Sequence, residues 1–214
     1  MSCRGFRAVV FVAGLVFSFA VARHASATPI DAVKANINPG VFAGCEAFVC
    51  GFEFTPTTNI TVVALGQYDQ AGNGLAGSPA VGLWTLGGTL LASATVPSGT
   101  VATLSNGVRY VSIAPLALTA GVHYVIGSAA GPDGADYTAV LVDFAPEITP
   151  ITGRFIAGTS LAFPPNLDSR LFVGPSFEFD AAATAVPEPA SMFLLGTGIV
   201  GIGARRWRNR RRRL

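Results

Sequence analysis

The stretch AVGLWTL-GG-TLLASATV, residues 80–96, decides the fold class. Its two halves are short apolar runs, and Gly87 and Gly88 between them are able to take positive φ at both central positions of a two-residue primed turn. This predicts a β-hairpin. The same pattern extends outward in both directions and predicts strands over 51–55, 59–68, 80–86, 89–96, 108–113, 122–128, 139–142, 154–157 and 176–180. Thr119-Ala120-Gly121 predicts a further turn. No long stretch of 3.6-residue period interrupts these runs. The spacing predicts an all-β, antiparallel β-sandwich of jelly-roll or immunoglobulin-like type. Phe52, Phe54, Trp84, Tyr110, Tyr124, Phe155, Phe177 and Phe179 are the expected inward-facing residues.

Half of the 214 residues are apolar and 12% are charged, with a mean hydropathy of +0.52. That excludes a charge-rich disordered chain and a coiled coil. The net charge of +2 is a sum of unlike parts: residues 1–27 carry +3, residues 28–186 carry −7, and residues 187–214 carry +6. Such asymmetry marks the two ends as addresses and the middle as the working domain. At −7, that middle is disfavoured for nucleic acid, because it repels phosphate.

Arg4 and Arg7 precede a 14-residue apolar run, 8–21, and then Ala25-Ser26-Ala27. A basic start, a short apolar stretch and a small-x-small site are the parts of a signal peptide cut after residue 27. The run is shorter than the roughly 20 residues of a membrane span. The expected organisation is therefore signal peptide 1–27, handled by the Sec translocon, and an extracytoplasmic sandwich over 28–180. A linker, 181–189, contains Pro187-Glu188-Pro189. A single transmembrane helix is expected over 190–204, then a cytoplasmic tail over 205–214. The 15 uncharged residues 190–204 make a helix of about 22 Å against a hydrocarbon core of about 30 Å. Such a helix spans marginally, with arginines snorkelling at its end. Arg205, Arg206, Arg208 and Arg210 lead the cluster that holds the C-terminus inside.

The run VPEPAS, then a Gly-rich apolar segment, then an arginine cluster resembles the PEP-CTERM sorting signal of Gram-negative bacteria. The resemblance implies a substrate of a membrane-embedded exosortase, cut near Pro187-Glu188-Pro189. It further implies an inner-membrane-anchored precursor that passes to the cell surface or matrix, in species that make exopolysaccharide and biofilm. Separately, GFEFTPTTNITVVALGQYDQAGNGL, AVGLWTLGGTLLASATV and RYVSIAPLALTAGVHYVIG, within 51–128, resemble an uncharacterised sandwich module of bacterial surface proteins. That module carries no activity to transfer.

Catalytic signals are weak, and a non-enzymatic domain is expected. His123 has no G-x-S-x-G elbow to serve. The acids Asp69, Asp133, Asp136, Asp143, Asp168 and Asp180 leave open a glycosidase pair, and hence a hydrolase of glycans. Calcium is a second use, with Asp69 and Asn73 in YDQAGNG and Asp133 and Asp136 in GPDGADY as candidate ligands; plain turn formation is the competing reading. Cys45 and Cys50, the two cysteines after residue 27, suit a disulfide in an oxidising compartment, with free buried thiols as the alternative. A straight strand would hold them about 16 Å apart, so a bonded CEAFVC must bend. Two cysteines and one histidine beyond residue 27 fall short of a zinc site. A carbohydrate-binding module for the exopolysaccharide remains open, with Trp84, Tyr68 or Tyr137 as stacking platforms.

Overall fold

The structure, a computed structural model, describes residues 28–34, 43–69, 72–131, 135–136 and 143–181. The segment 1–27, the tail from residue 182 and the strand expected at 139–142 lie outside them. The chain forms β1 (Ile30–Asp31), β2 (Val33–Lys34), β3 (Ala43–Gly44), β4 (Phe48–Pro56), β5 (Ile60–Tyr68), β6 (Ala80–Thr85), β7 (Leu90–Thr95) and β8 (Thr103–Ser105). It continues through β9 (Val108–Leu118), β10 (Tyr124–Ala129), β11 (Ala135–Asp136), β12 (Asp143–Phe144), β13 (Ile148–Ala157), β14 (Asn166–Asp168) and β15 (Pro175–Ala181). Two sheets stack as a sandwich. One has the order β1-β15-β5-β9-β8 and the other β14-β13-β4-β10-β6-β7. Two small ribbons, β3 with β11 and β2 with β12, flank them, and every pairing is antiparallel.

Strand alternation puts Phe52 and Phe54 of β4 and Phe177 and Phe179 of β15 on facing sides. Phe54 meets Phe177 at 5.0 Å between ring centroids. Phe52 packs on Phe54 at 6.0 Å and Phe177 on Phe179 at 6.0 Å, so four rings form a continuous column. Val62, Leu65, Val81, Leu83 and Ile126 fill the space around it.

Trp84 and Tyr110 are buried but do not face this core, which corrects the inward placement expected of them. Each lies on the outer face of its sheet, flat over a glycine. The Trp84 ring covers Gly82 and the Tyr110 ring covers Gly66, in the volume a Cβ would occupy. Phe155 is half-buried in a satellite cluster with Phe172 and the cysteines.

The 80–96 hairpin forms, but not with the expected turn. Gly88 has φ 87°, whereas Gly87 is not in the positive-φ region. Gly88 N–H donates to Thr85 O at 3.0 Å and Thr85 N–H to Thr89 O at 2.9 Å. That pattern is a three-residue loop with a left-handed glycine last, rather than a two-residue primed turn. The primed turn falls at Asn106-Gly107, with φ 43° and 81°, joining β8 to β9.

Two strands run further than their prolines suggest. β13 starts at Ile148 and contains Pro150, and β9 runs through Pro115 to Leu118. In both, the neighbouring edge strand covers only part of the length, at Gly153–Phe155 and at Val108–Tyr110. Each proline therefore sits where its strand is itself an edge, beside a register shift.

Replacing Phe177 by alanine removes the ring on which the column turns, and the expected loss is about 3–5 kcal/mol. Val101→Ala, at an 84% exposed position, is expected to stay within about 0.5 kcal/mol of wild type. Urea denaturation of both variants checks the contrast.

Candidate functional site

Polar chemistry in this domain gathers on the outer faces of the sheets and at one end. On the outer face of the six-stranded sheet, Glu53 of β4 is buried. Its Oε1 accepts from His123 Nδ1 at 2.6 Å, and its Oε2 accepts from Arg154 Nε at 3.0 Å and also from Arg154 Nη2. Burial pushes the Glu53 carboxyl up, but the hydrogen bonds and charges of His123 and Arg154 outweigh it and hold the group below its ordinary 4.5. With both oxygens engaged, Glu53 is an anchor for its neighbours rather than a free base.

Beside it, the register Arg154–Gly51–Gly127–Gly82 places three glycines side by side across β4, β10 and β6. The segment 158–165 crosses this floor. Phe163 meets Trp84 edge-on at 6.3 Å. Pro164 lies over Gly127, and Arg154 Nη1 donates to Pro165 O at 3.1 Å. Trp84 is consequently 3% exposed, and Tyr68, packed in the core between the sheets, is 8% exposed. Neither offers a ring to a sugar, which corrects their candidacy as stacking platforms; Tyr137 lies outside the described residues.

On the outer face of the five-stranded sheet, Asp31 of β1 stands opposite Glu178 of β15. Asp31 is buried, and its Oδ2 accepts from Ser105 Oγ at 2.9 Å and from Asn106 Nδ2. Burial, then the charge of Asp31, pushes the Glu178 carboxyl up. The same two causes push the Tyr110 hydroxyl well above its usual range. That hydroxyl shares a 3.1 Å hydrogen bond with Ser176 Oγ. No sequence signal marked Asp31 and Glu178, because neither lies in a Gly-rich loop and β1 is two residues long.

The third cluster is an ion pair buried on both sides. Arg109 Nε donates to Asp69 Oδ2 at 2.6 Å. Its Nη1 donates to Thr100 O and Ala102 O, and its Nη2 to Gly72 O. Asp69 also accepts from Gly74 N–H, at 2.9 and 3.1 Å. One guanidinium thus ties three loop carbonyls to β9.

The expected calcium ligand Asp69 is therefore committed to Arg109 and Gly74, which corrects its assignment. Asn73 is exposed on the same loop, Asp133 lies outside the described residues, and Asp136 lies in β11. Among the described residues, no three His, Cys, Asp or Glu side chains are grouped to hold a metal. The other candidate acids are dispersed. Asp143 pairs in register with Lys34, and Asp180 lies on β15. Asp168 is bound by Arg170, whose hydrogen bonds hold its carboxyl down at about 2. Cys45 and Cys50 are joined as a disulfide with Cα atoms 6.2 Å apart. The bend comes from Phe48 N–H donating to Cys45 O at 3.0 Å. Ala25, Ala27, Pro187, Glu188, Pro189 and the arginines from Arg205 lie outside the described residues.

These features define a class: a disulfide-clipped antiparallel β-sandwich with its polar clusters outside the core. Residues 38–169 match the family described as a domain of unknown function, DUF4082, and the chain belongs to that family. Residues 185–212 match the PEP-CTERM protein-sorting motif, which marks an exported chain processed by an exosortase. No curated protein and no solved structure matches the chain.

Two outcomes test these clusters. Asp69→Asn leaves Arg109 buried without its counter-charge and is expected to cost about 3–5 kcal/mol, with much of that recovered when Arg109→Met is added. Glu53 ionises more readily folded than unfolded, so its contribution is full above pH 4.5 and fades as pH falls through its lower folded value. Urea midpoints against pH are expected to fall less steeply below that point in Glu53→Gln than in wild type.

Proposed function

We propose that the chain is the precursor of a surface or extracellular-matrix protein whose sandwich acts without catalysis, in association with exopolysaccharide. The observation that carries this reading is the sorting motif at 185–212 directly behind an independently cored domain. In this reading the Sec translocon exports the chain, and the leader is cut off near Ala25 and Ala27. Residues 190–204 then hold it in the inner membrane of a Gram-negative cell until the exosortase cuts near Pro187-Glu188-Pro189. The domain acts through its surface, since its ionisable clusters are bound into the framework: Glu53 by Arg154 and His123, Asp69 by Arg109.

Carbohydrate binding is the second reading, and strand order favours it. The orders β1-β15-β5-β9 and β4-β10-β6-β7 are those of a jelly roll, with β8 and the β13–β14 pair added at the edges. Lectin domains use that architecture, although fold alone assigns no ligand. With Trp84 and Tyr68 covered, sugar contacts on this reading are polar.

Mass spectrometry of the protein shed to the surface is expected to find a chain ending near residue 189, without Arg205–Leu214. A Glu188→Ala chain is expected to accumulate uncut in the membrane fraction. Recovery of intact tails on surface-exposed protein would falsify the processing step. A glycan array separates the second reading, because direct binding of the isolated protein to matrix polysaccharide is expected only if the jelly roll is itself a lectin, and association through other matrix components gives no signal on the array.

A further inference from the structure

We propose that the precursor holds one particular end of the sandwich against the lipid surface, with the 86–89 and 119–123 turns as the contact. The inference rests on the reading of the tail as membrane-engaged.

The geometry begins with the two places where the domain joins the rest of the chain. β15 ends at Ala181, opposite Ile60, where β5 begins and β9 ends. β1 begins at Ile30, opposite Phe179, two residues from that same end. The start of the mature chain and the connection to the membrane-directed tail therefore leave the sandwich on neighbouring strands at one end. Eight residues, 182–189, separate Ala181 from the apolar run. Fully extended they reach at most about 28 Å. The nine-residue strands β4 and β5 make the sandwich about 30 Å long at about 3.3 Å per residue. A tether of that length does not let the domain turn its far end to the bilayer.

The same end is suited to lie on lipid. Its loops 57–59, 86–89 and 119–123 contain no Asp, Glu, Lys or Arg, in a domain that otherwise carries −7; the acid Glu147, half-buried, adjoins them through its main-chain O, which accepts from Thr57 N–H at 2.8 Å. The 86–89 and 119–123 turns, free of acidic side chains, avoid repulsion from anionic headgroups. Leu86 and Val122 are each 43% exposed there. The 119–123 turn is held in place: Gly121 N–H donates to Pro56 O at 2.9 Å, Ala120 N–H to Asn59 Oδ1 at 2.9 Å, and Thr119 N–H to Tyr124 Oη at 3.0 Å. Val101 and Leu104 are also exposed, but they belong to the opposite end: Leu104 pairs with Arg109 next to the Asn106-Gly107 turn, and Val101 lies between Thr100 and Ala102, whose carbonyls Arg109 binds.

The test places a fluorophore on Val122→Cys, Leu86→Cys or Val101→Cys in the chain from residue 28 to 214, the precursor after leader removal, reconstituted into phospholipid vesicles with a headgroup nitroxide quencher. Labels at 86 and 122 are expected to be quenched several-fold more than the label at 101. Equal quenching at the two ends of a vesicle-bound chain overturns the orientation while leaving the sorting reading intact. A chain that fails to bind vesicles overturns both. Protection that appears only with the sorting enzyme in the bilayer overturns the lipid contact in favour of a protein one.

Discussion

The contact of Phe54 with Phe177, one ring from each sheet at 5.0 Å, is the constraint on which the rest of the sandwich depends. Register follows from it. Moving β4 by one residue would turn Phe52 and Phe54 outward and bring Glu53 into the core, away from its Arg154 and His123 partners. The same alternation on β15 keeps Phe177 and Phe179 inside and Ser176 and Glu178 outside. Each outer face then needs its own cover, and it is supplied by single large rings lying over glycines, Trp84 on Gly82 and Tyr110 on Gly66. The domain thus buries aromatic area in three layers from a strand count that ordinarily supports one.

That layering explains which parts of the fold were legible in the sequence. Apolar runs between turn residues located β5, β6, β7, β10 and β15 closely, because alternation and turn chemistry are local properties. Trp84 and Tyr110 were legible as buried but not as outward-facing, since a ring that folds back over a cross-strand or same-strand glycine leaves no periodic trace. The Gly87-Gly88 turn was misread because Leu86 enters the loop and Thr85 Oγ1 accepts from Thr89 N–H at 3.2 Å, which favours the longer connection. The Asn106-Gly107 pair did carry the primed-turn signal; it was hidden by the three-residue length of β8.

The polar clusters were less legible, for a different reason. Asp69 looks like a calcium ligand in its Gly-rich loop because the same residue types build cation sites and turns. Only the approach of Arg109 from 40 residues away decides between them. Asp31 and Glu178 are separated by almost the whole domain in sequence and meet only because β1 pairs with β15. The sorting motif at 185–212 was legible, since a sorting signal is read by other proteins as a linear string and its order of apolar and basic residues is the information itself.

Fold and sorting are linked through β15. The family match ends at residue 169, yet β15 lies beyond it, sits between β1 and β5 and supplies half of the phenylalanine column. Without residues 175–181 the five-stranded sheet has no bridge between β1 and β5, and Phe54 has no partner across the sandwich. Closure of the core must therefore wait until the strand immediately before the sorting tail has crossed the membrane. The tail in turn has only five residues, 182–186, between that strand and Pro187. A domain whose last core strand adjoins its sorting motif is one in which completing the fold and presenting the motif are nearly the same event. An incompletely exported chain has neither a closed core nor an accessible Pro187-Glu188-Pro189.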